Sequence, residues 1–534
     1  MSFNQYRTNP GANVSNFKGR TDTPKAWPST AVSTWMNSAL FSGGSRVGWF
    51  AIIQSADQVV NRCGGGGLDS NEDIYVVARM NSGNTTMWKI SGSDEPSLLA
   101  RAKINTGGSW GDVWGSGLTE STDYVIGAGG VASSGQTGYV ISWPPVTSTG
   151  NNIADAQGAV QWRPQQASNN SNAIAYYGAQ AINPYKSAAG NTGRVSVAFN
   201  AKDQNYSIQW GTGYLQGAVP YETIGGTYYG STNTAYISRT TFYHPLNRDY
   251  MSGVQNNFEY MHLYGFVYGG SNSTQSLWKY KKASGNTAYF NRCFWTPSLK
   301  VGSQEYAYLV APNMSQNSTI DRGVEIVKID AAVSANEGAV QWSKVLHSSS
   351  GTMADTNFWE RSMRAQPVTD TDGNVYFSLT YYSTGDSKWH HSISKVSPAG
   401  VLMWCNDLLM VKSNGADDSN DTFISQMEIN SFNDIILGGF CNLGDGGGGS
   451  AGPTAVAFSA RLSSDGGGTG AAKPISNDGA TIQYTPNTEL SLKTSTIARY
   501  TNSTNVSQGG NFGYGTQGVT NTNQNPDAFA STVL

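Results

Sequence analysis

Residues 370–382 read DTDGNVYFSLTYY and residues 391–404 read HSISKVSPAGVLMW, and these two segments decide the fold. After the turn-forming DTDGN, apolar residues alternate with polar or aromatic ones, which is the pattern of a strand with two different faces. In the second segment, Pro398 and Gly400 predict a turn between two further strands, the last of which carries Trp404. We therefore predict three consecutive strands joined by tight turns.

The same pattern recurs along the chain. Seven predicted strands begin at or near an opening turn, at Asp73, Asp123, Arg194, Phe258, Glu305, Asn374 and Asn433. A second predicted strand follows each opening, a third carries an aromatic residue in several copies, and a fourth, such as residues 361–367, precedes the next opening. The pentapeptide GAVQW stands at residues 158–162 and again at residues 338–342. Units of four short antiparallel strands, roughly 60 residues apart, are typical of propeller blades.

The need to bury the apolar faces of the blades predicts that they close into a ring. A single four-stranded blade cannot bury both of its apolar faces, whereas a ring packs each blade on its neighbours and leaves only short edges. We therefore predict an all-β fold, a β-propeller of seven four-stranded blades with extended N- and C-terminal arms. The N-terminal arm is placed at residues 1–45, the propeller at residues 46–465, and a C-terminal strap or tail at residues 466–534.

The C-terminal segment has two weak predicted strands, Thr481–Tyr484 and Thr496–Tyr500. We expect one of them to complete the blade that begins at Val47–Ile53 and so to close the ring. From Thr501 onward the chain is rich in Asn, Thr, Gly and Gln and nearly uncharged, so this tail either docks on a partner subunit or stays disordered. The same two alternatives apply to the N-terminal arm.

Three strings resemble the bacterial and phage β-propeller repeat, whose blades contain GN-V-Y, then K-L-D-P-S-G, then a later W. They stand at residues 372–377 (DGNVYF), 393–404 (ISKVSPAGVLMW) and 327–332 (VKIDAA), and the resemblance is clearest over residues 324–462. It implies a propeller fold and no particular activity, because this repeat occurs in proteins with many roles. The blades also resemble those of quinoproteins, but the Gly and Trp spacing holds only in scattered copies, so we predict no cofactor.

Composition narrows the class of protein. Of the 534 residues 13% are charged, 63 are Gly, and the net charge is −3, so no basic patch for nucleic acid or an anionic membrane is expected. The first residues lack the pattern of an export signal, and no run approaches the ~20 apolar residues that span a bilayer. A charge-poor surface without an export signal is typical of a virion protein assembled in a host cytoplasm, and the whole chain resembles a structural protein of a tailed phage.

No group of residues in the sequence predicts a catalytic or ligand-binding site. Asp370, Asp372 and Asn374 have the spacing of half a calcium loop, but the distal Glu is missing, so we interpret them as a turn. The acidic segment Asp417–Asp421 is interpreted as a solvated loop, and the glycine tract at residues 64–67 as a flexible loop, because it lacks the Lys and Ser/Thr of a phosphate-binding loop.

The remaining candidates also favour structure over catalysis. Cys63, Cys293, Cys405 and Cys441 are not spaced for zinc, and we expect buried free thiols. The five histidines, His244, His262, His347, His390 and His391, are interpreted as surface or strand residues with no nucleophile and acid in a recognisable arrangement. Glu360, Arg361 and Arg364 form a small charged group, but the Asp-box of sialidase blades is absent.

We therefore predict no catalytic, cofactor-binding or metal-binding residues and a non-enzymatic structural component of a phage particle, in its tail, baseplate or capsid decoration. It would dock on other virion proteins through its terminal arms, in multiple copies per particle, with no nucleic acid bound and no membrane insertion. The alternative is a propeller that binds or cleaves a host-surface carbohydrate. The aromatic segments Tyr221–Tyr229 and Tyr243–Pro245, interpreted as loops, suit sugar stacking and subunit packing equally.

Overall fold

The structure is a computed structural model, and every helix or strand that it describes is a β-strand. The described residues are 48–54, 60–68, 71–80, 85–104, 118–120, 125–129, 139–143, 160–161, 179–186, 192–199, 208–216, 219–229, 236–244, 248–255, 260–267, 274–283, 290, 293–296, 299–313, 322–332, 335–348, 363–412, 422–442, 455–475, 480–501, 507–508, 515–516 and 528–533. Within these ranges, no helix is long and apolar enough to cross a membrane.

The strands of the first half are β1 (Trp49–Gln54), β2 (Val60–Leu68), β3 (Ile74–Met80), β4 (Thr85–Ile90), β5 (Leu98–Ile104), β6 (Leu118–Glu120), β7 (Val125–Gly129), β8 (Tyr139–Trp143), β9 (Val160–Gln161), β10 (Ala179–Lys186), β11 (Thr192–Phe199), β12 (Ile208–Gln216), β13 (Val219–Tyr229), β14 (Tyr236–His244), β15 (Arg248–Gln255), β16 (Tyr260–Val267) and β17 (Thr274–Lys282). Those of the second half are β18 (Phe294–Trp295), β19 (Leu299–Val301), β20 (Gln304–Asn313), β21 (Gly323–Asp330), β22 (Val340–Ser348), β23 (Val368–Thr369), β24 (Val375–Ser383), β25 (Lys388–Val396), β26 (Leu402–Val411), β27 (Phe423–Ile429), β28 (Ile435–Asn442), β29 (Ala455–Leu462), β30 (Lys473–Pro474), β31 (Thr481–Pro486), β32 (Leu490–Thr494), β33 (Ile497–Thr501), β34 (Ser507–Gln508), β35 (Gly515–Thr516) and β36 (Ala528–Val533).

These strands form antiparallel sheets in chain order. We number them from first to seventh: β2–β5, β6–β8, β10–β13, β14–β17, β18–β22, β23–β26, and β27–β29 with β1. The short strand β9 lies beside β8 and is counted with the second sheet. The predicted all-β class is therefore confirmed, and so are the strands after Asp73, Asn374 and Asn433, which are β3, β24 and β28.

The N-terminal strand β1 belongs to the last sheet of the chain. It pairs with β29, with Ile52 opposite Phe458, and its other edge receives β36, with Ile52 opposite Ala530. The expectation that Thr481–Tyr484 or Thr496–Tyr500 would join this sheet is wrong, because the first lies in β31 on β26 and the second lies mainly in β33 on β17. Chain-terminal β36 takes that place instead.

The C-terminal segment from Lys473 to Val533, here called the strap, adds an outer strand to one sheet after another in reverse order. Its strand β31 pairs with the sixth sheet, β32 with the fifth, β33 with the fourth and β34 with the third. Strand β35 then pairs with β9, and β36 with β1 of the seventh sheet. The strap therefore satisfies backbone groups that would otherwise be exposed at the outer edges of the sheets it joins.

Buried side chains fill the spaces between successive sheets. Val375, Phe377 and Leu379 of β24 pack with the fifth sheet, whereas Tyr376 on the other face packs with the seventh. The predicted alternation of residues 375–379 is thus confirmed, with both faces buried. A further core joins the seventh sheet to the first, because Trp49 packs in one cluster with residues of β3 and β4.

A repeated joint holds neighbouring sheets together. The indole Nε1 of a tryptophan on the outer strand donates to a carbonyl in the last turn of the next sheet: Trp342 to Pro398 O at 2.9 Å, Trp404 to Ser464 O at 3.0 Å and Trp49 to Ser93 O at 3.1 Å. A cation on the preceding strand reaches the same turn, as Lys328 Nζ does to Pro398 O at 3.2 Å, Lys395 Nζ to Ser464 O at 3.1 Å and Arg461 to Gly92 O at 3.1 Å.

A glycine lies against the tryptophan ring in the Trp342 and Trp404 joints, and Gly338 lies in the same way against Trp278 of the fourth sheet. A Cβ atom on Gly338, Gly400 or Gly466 would come within 2.7, 3.3 and 2.8 Å of the rings of Trp278, Trp342 and Trp404, respectively. Gly466 also has a φ of +77°, which side chains rarely adopt. The indole therefore occupies the space that a side chain would need.

Four local predictions are wrong. The glycine tract at residues 64–67 is not a loop but part of β2, where its backbone pairs with β3 across a bulge after Cys63. The strand before Asn374 is Val368–Thr369, not residues 361–367. Tyr221–Tyr229 lies in strand β13. The segment after Phe258, predicted to open a unit as the segments after Asp73 and Asn374 do, forms the third strand of its sheet (β16), whereas those two form the second strand of theirs (β3 and β24).

The joint predicts a sharp effect of Gly466→Ala. The added Cβ would need a positive φ and would contact the Trp404 ring, so we expect a loss of about 1–3 kcal/mol in the free energy of unfolding, measured by denaturant titration. The matched control is Gly470→Ala, since a Cβ at Gly470 meets no atom within 4 Å. Equal stability of the two variants would contradict the packing role of the joint.

If the strap holds the sheets together, its removal should speed the unfolding of the protein. Deletion of residues 528–534 removes β36 from β1 and exposes the edge of the seventh sheet, so we expect the unfolding rate in guanidinium to rise on the order of 10-fold. Stopped-flow or manual-mixing fluorescence measures this rate. An unchanged unfolding rate would show that the pairing of β36 with β1 does not limit unfolding, and it would contradict this prediction.

Candidate functional site

The most concentrated polar group of the described residues lies where the strap meets the sixth sheet. Strand β25 places His390 and Ser392 two residues apart, so both side chains point to one face. In the register of the sheet, Ser392 stands opposite Asp407 of β26, and His390 stands opposite Tyr381 of β24. Three strands therefore contribute to one cluster.

Asp407 is the centre of this cluster and is almost fully buried, with 2% of its surface exposed. Its carboxylate accepts a hydrogen bond from Ser392 Oγ, and it lies 2.8 Å from Nδ1 of His390. The amide nitrogen of Asn487, which belongs to the strap, donates to both carboxylate oxygens at 2.9 Å. The hydrogen-bonding capacity of this buried carboxylate is therefore filled by protein groups without water.

Asn487 fastens the strap to the cluster. Its backbone N–H donates to Cys405 O at 2.9 Å, and its side-chain nitrogen also donates to the Tyr381 hydroxyl at 2.9 Å. Its side-chain oxygen accepts from the backbone N–H groups of Glu489 and Leu490 at 2.9 and 2.8 Å. One side chain thus sets the turn between β31 and β32 and binds it to the sheet.

Asp386 and Glu489 complete the cluster on its solvent side. Asp386 lies in the exposed hairpin between β24 and β25, with Oδ2 3.1 Å from Nε2 of His390. Glu489 accepts a hydrogen bond from Ser383 Oγ at 2.7 Å. Together with His390 these two carboxylates form a group whose potential ligand atoms all lie within 4.8 Å of one another.

The environment of His390 favours its charged form. Burial by itself would lower the pKa of the imidazole, but the hydrogen bonds and charges of Asp407 and Asp386 outweigh it and raise the pKa of His390 to about 9. The ring of Tyr381 stacks on the imidazole with a centroid distance of 4.9 Å. Burial, with the nearby charge of Asp407, also raises the pKa of Tyr381, so this hydroxyl stays protonated.

The cluster contains Ser, His and Asp but does not form a nucleophilic triad. A triad requires the serine hydroxyl to bond the imidazole, which then bonds the acid. Here Ser392 Oγ donates to Asp407 directly, and Ser392 is 0% exposed. The arrangement can hold a charge or a cation at its solvent side, but it offers no accessible nucleophile.

Other residues considered from the sequence are placed as follows. Asp370 Oδ1 accepts from the backbone N–H of Asp372 at 3.0 Å and of Asn374 at 2.9 Å, and Asp370 Oδ2 accepts from the Tyr376 hydroxyl at 2.8 Å. This carboxylate therefore shapes a turn. Asn430 repeats the role, since its side-chain oxygen accepts from the N–H groups of residues 432 and 434.

All five histidines lie in strands, and the three with described side chains, His347, His390 and His391, are buried. Cys293, Cys405 and Cys441 are buried and form no disulfide bonds, as predicted, whereas the side chain of Cys63 lies outside the described residues. Arg364 is buried, whereas Glu360, Arg361 and Asp417–Asp421 lie outside the described residues.

A second buried carboxyl group joins the fourth and fifth sheets. Glu325 is 0% exposed, lies 3.3 Å from Lys282 Nζ and accepts from Asn313 Nδ2 at 2.8 Å. Burial raises the pKa of Glu325, while Lys282 and Asn313 oppose that shift. The group lies between two sheets and ties them together.

Comparison with known proteins identifies no family for this chain. No protein-family model matches the chain, and no curated protein matches it. Among solved structures, the chain is similar to a puromycin-hydrolyzing peptidase of Mycobacterium tuberculosis, with 10% identity and a TM-score of 0.27. That match covers 74% of this chain and 62% of the peptidase chain, so the chain spans under two thirds of the length of that protein.

The cluster predicts that Asn487 secures the strap. In Asn487→Ala, Asp407 loses two hydrogen bonds from one amide group and two backbone N–H groups lose their acceptor, so we expect a cost of roughly 2–4 kcal/mol in local stability. Hydrogen exchange of peptides from residues 481–494 measures this as faster exchange. Thr488→Ala is the control, because Thr488 is exposed beside Asn487. Similar exchange in both variants would refute the anchoring role.

Proposed function

We propose that the seven sheets are the blades of a β-propeller and that the chain is a non-enzymatic structural component of a tailed-phage particle. Three observations support the ring. The sheets follow one another in chain order, the first strand of one sheet contacts the first strand of the next at several places, and β2 of the first sheet contacts β27 of the seventh. The Trp49–Ser93 joint links the seventh sheet to the first in the way that Trp342 and Trp404 link earlier pairs.

The main support for the structural role comes from the course of the strap. It runs along the outer edges of the sheets against the order of the chain and ends beside β1, next to the point where the ring would close. Opening the ring then requires the strap to leave several sheets as well as the separation of the first and last blades. Such a chain gains resistance to unfolding and to edge-to-edge aggregation, which a particle component outside the cell needs.

The cluster at the strap is consistent with this role. Asp407 and Ser392 are inaccessible to a substrate, and their hydrogen bonds fix the strap rather than polarise a nucleophile. We assign docking on other virion proteins to the N-terminal segment at residues 1–45, since the C-terminal strands from β31 to β36 already pair within the chain. Localisation in the virion and multiple copies per particle belong to this proposal.

The alternative is a propeller that binds or cleaves a host-surface carbohydrate. Its residues of interest, Glu360 and Arg361, lie outside the described ranges, and Arg364 is buried. No described contact favours it over the structural role, so it serves as the competing outcome of the test below.

The test is the composition of purified particles. Mass spectrometry of gradient-purified virions should detect this chain in a fixed ratio to the major capsid protein, and antibody labelling should place it at one part of the particle. Absence of the chain from infectious particles would overturn the structural role. Turnover of a host polysaccharide by the purified chain, lost in Glu360→Gln, would establish the alternative.

A further inference from the structure

We propose that Asp386, His390 and Glu489 bind a divalent transition-metal cation of the zinc class, which fastens the strap to the sixth sheet. The three side chains come from three separate segments: the hairpin after β24, strand β25 and the strap. Their potential ligand atoms all lie within 4.8 Å of one another. The inference rests on this geometry and does not depend on a role in a particle.

The donor set matches zinc rather than calcium. One imidazole and two carboxylates suit zinc or manganese, whereas calcium and magnesium prefer oxygen ligands alone. In a tetrahedral zinc site with bonds of about 2.0–2.1 Å, ligand atoms stand roughly 3.3 Å apart. Nε2 of His390 lies 3.1 and 3.3 Å from the two oxygens of Asp386, so this pair already has that spacing, and the Glu489 carboxylate, within 4.8 Å of both, would adjust to it.

The support around the imidazole is of the kind that metal-binding histidines have. Metal ligands of this type usually give their other ring N–H to a carboxylate, which fixes the ring orientation and the tautomer. Nδ1 of His390 lies 2.8 Å from Asp407, which is itself 2% exposed and held by Ser392 and Asn487. Only 6% of His390 is exposed, and its Nε2 points to the solvent-side carboxylates.

Charge supports the same conclusion. Asp386, Asp407 and Glu489 place three carboxyl groups around one imidazole. A divalent cation bound to Nε2 of His390 and to the carboxylates of Asp386 and Glu489 would offset most of this negative charge. Because Asp386 is exposed, a fourth position remains open to water.

Binding is tested by isothermal titration of the full chain, first stripped with a chelator and dialysed, with zinc chloride at pH 8. We expect one zinc per chain, and an increase in Kd of at least about 10-fold in Asp386→Asn and in Glu489→Gln. Glu95→Gln, which changes an exposed carboxylate at a distance, should bind as the wild type does. Absence of saturable binding, or equal Kd values in all four proteins, would overturn the proposal.

Hydrogen exchange separates this site from adventitious surface zinc. Zinc should slow exchange in residues 481–494 of the wild type and of Glu95→Gln, and leave it unchanged in Asp386→Asn. That variant changes only an exposed hairpin side chain, so it is expected to fold, and circular dichroism checks this. Zinc binding without added protection of the strap would refute the fastening role.

Discussion

The fold depends on the satisfaction of backbone hydrogen bonds at sheet edges. The outer strand of a sheet leaves a row of N–H and C=O groups without partners in the sheet, and this carries an energetic cost. A protein made of several separate sheets bears that cost at each one. Strands from the two ends of the described part of the chain pair with these edges. Strand β1 becomes a strand of the last sheet, and the strap adds outer strands to the sheets it passes. Residues far apart in sequence are therefore brought together at every sheet edge that the strap covers.

The recognisable repeat has a physical basis in the joint between sheets. In the segment from Lys328 to Trp342, the Lys reaches the next sheet, the Gly leaves space for the previous tryptophan, and the Trp donates to the next turn. Lys395, Gly400 and Trp404 repeat these three roles one sheet later. The motif thus encodes contacts between units, which explains why it predicts a repeated architecture without predicting any activity.

Sequence reasoning succeeded where the signal is local and failed where partners are distant. The alternation of Val375 to Leu379 and the turn at Asp370 are visible in a few residues, and both are found as predicted. The cluster at Asp407 was missed, because Asn487 and Glu489 lie about 80 residues away in a segment with no periodic pattern. The only local signal was the spacing of His390 and Ser392, which lie two residues apart and so share one face of β25.

The register of the strap explains why polar groups are buried along it. Because strand side chains alternate with period two, a slip of two residues would keep the apolar face of β31 inward and would cost little in hydrophobic burial. Polar side chains fix the register at two points. Before β32, the side-chain nitrogen of Asn487 donates to Asp407. Before β33, Ser343 of β22 donates to Ser495 O at 2.8 Å and accepts from Ile497 N at 3.0 Å. A shifted strap would take the Asn487 amide away from buried Asp407, and the penalty for the two lost hydrogen bonds exceeds the small cost of the slip itself. The anchors stand where the strap passes from one sheet to the next, so each crossing fixes the pairing that follows it.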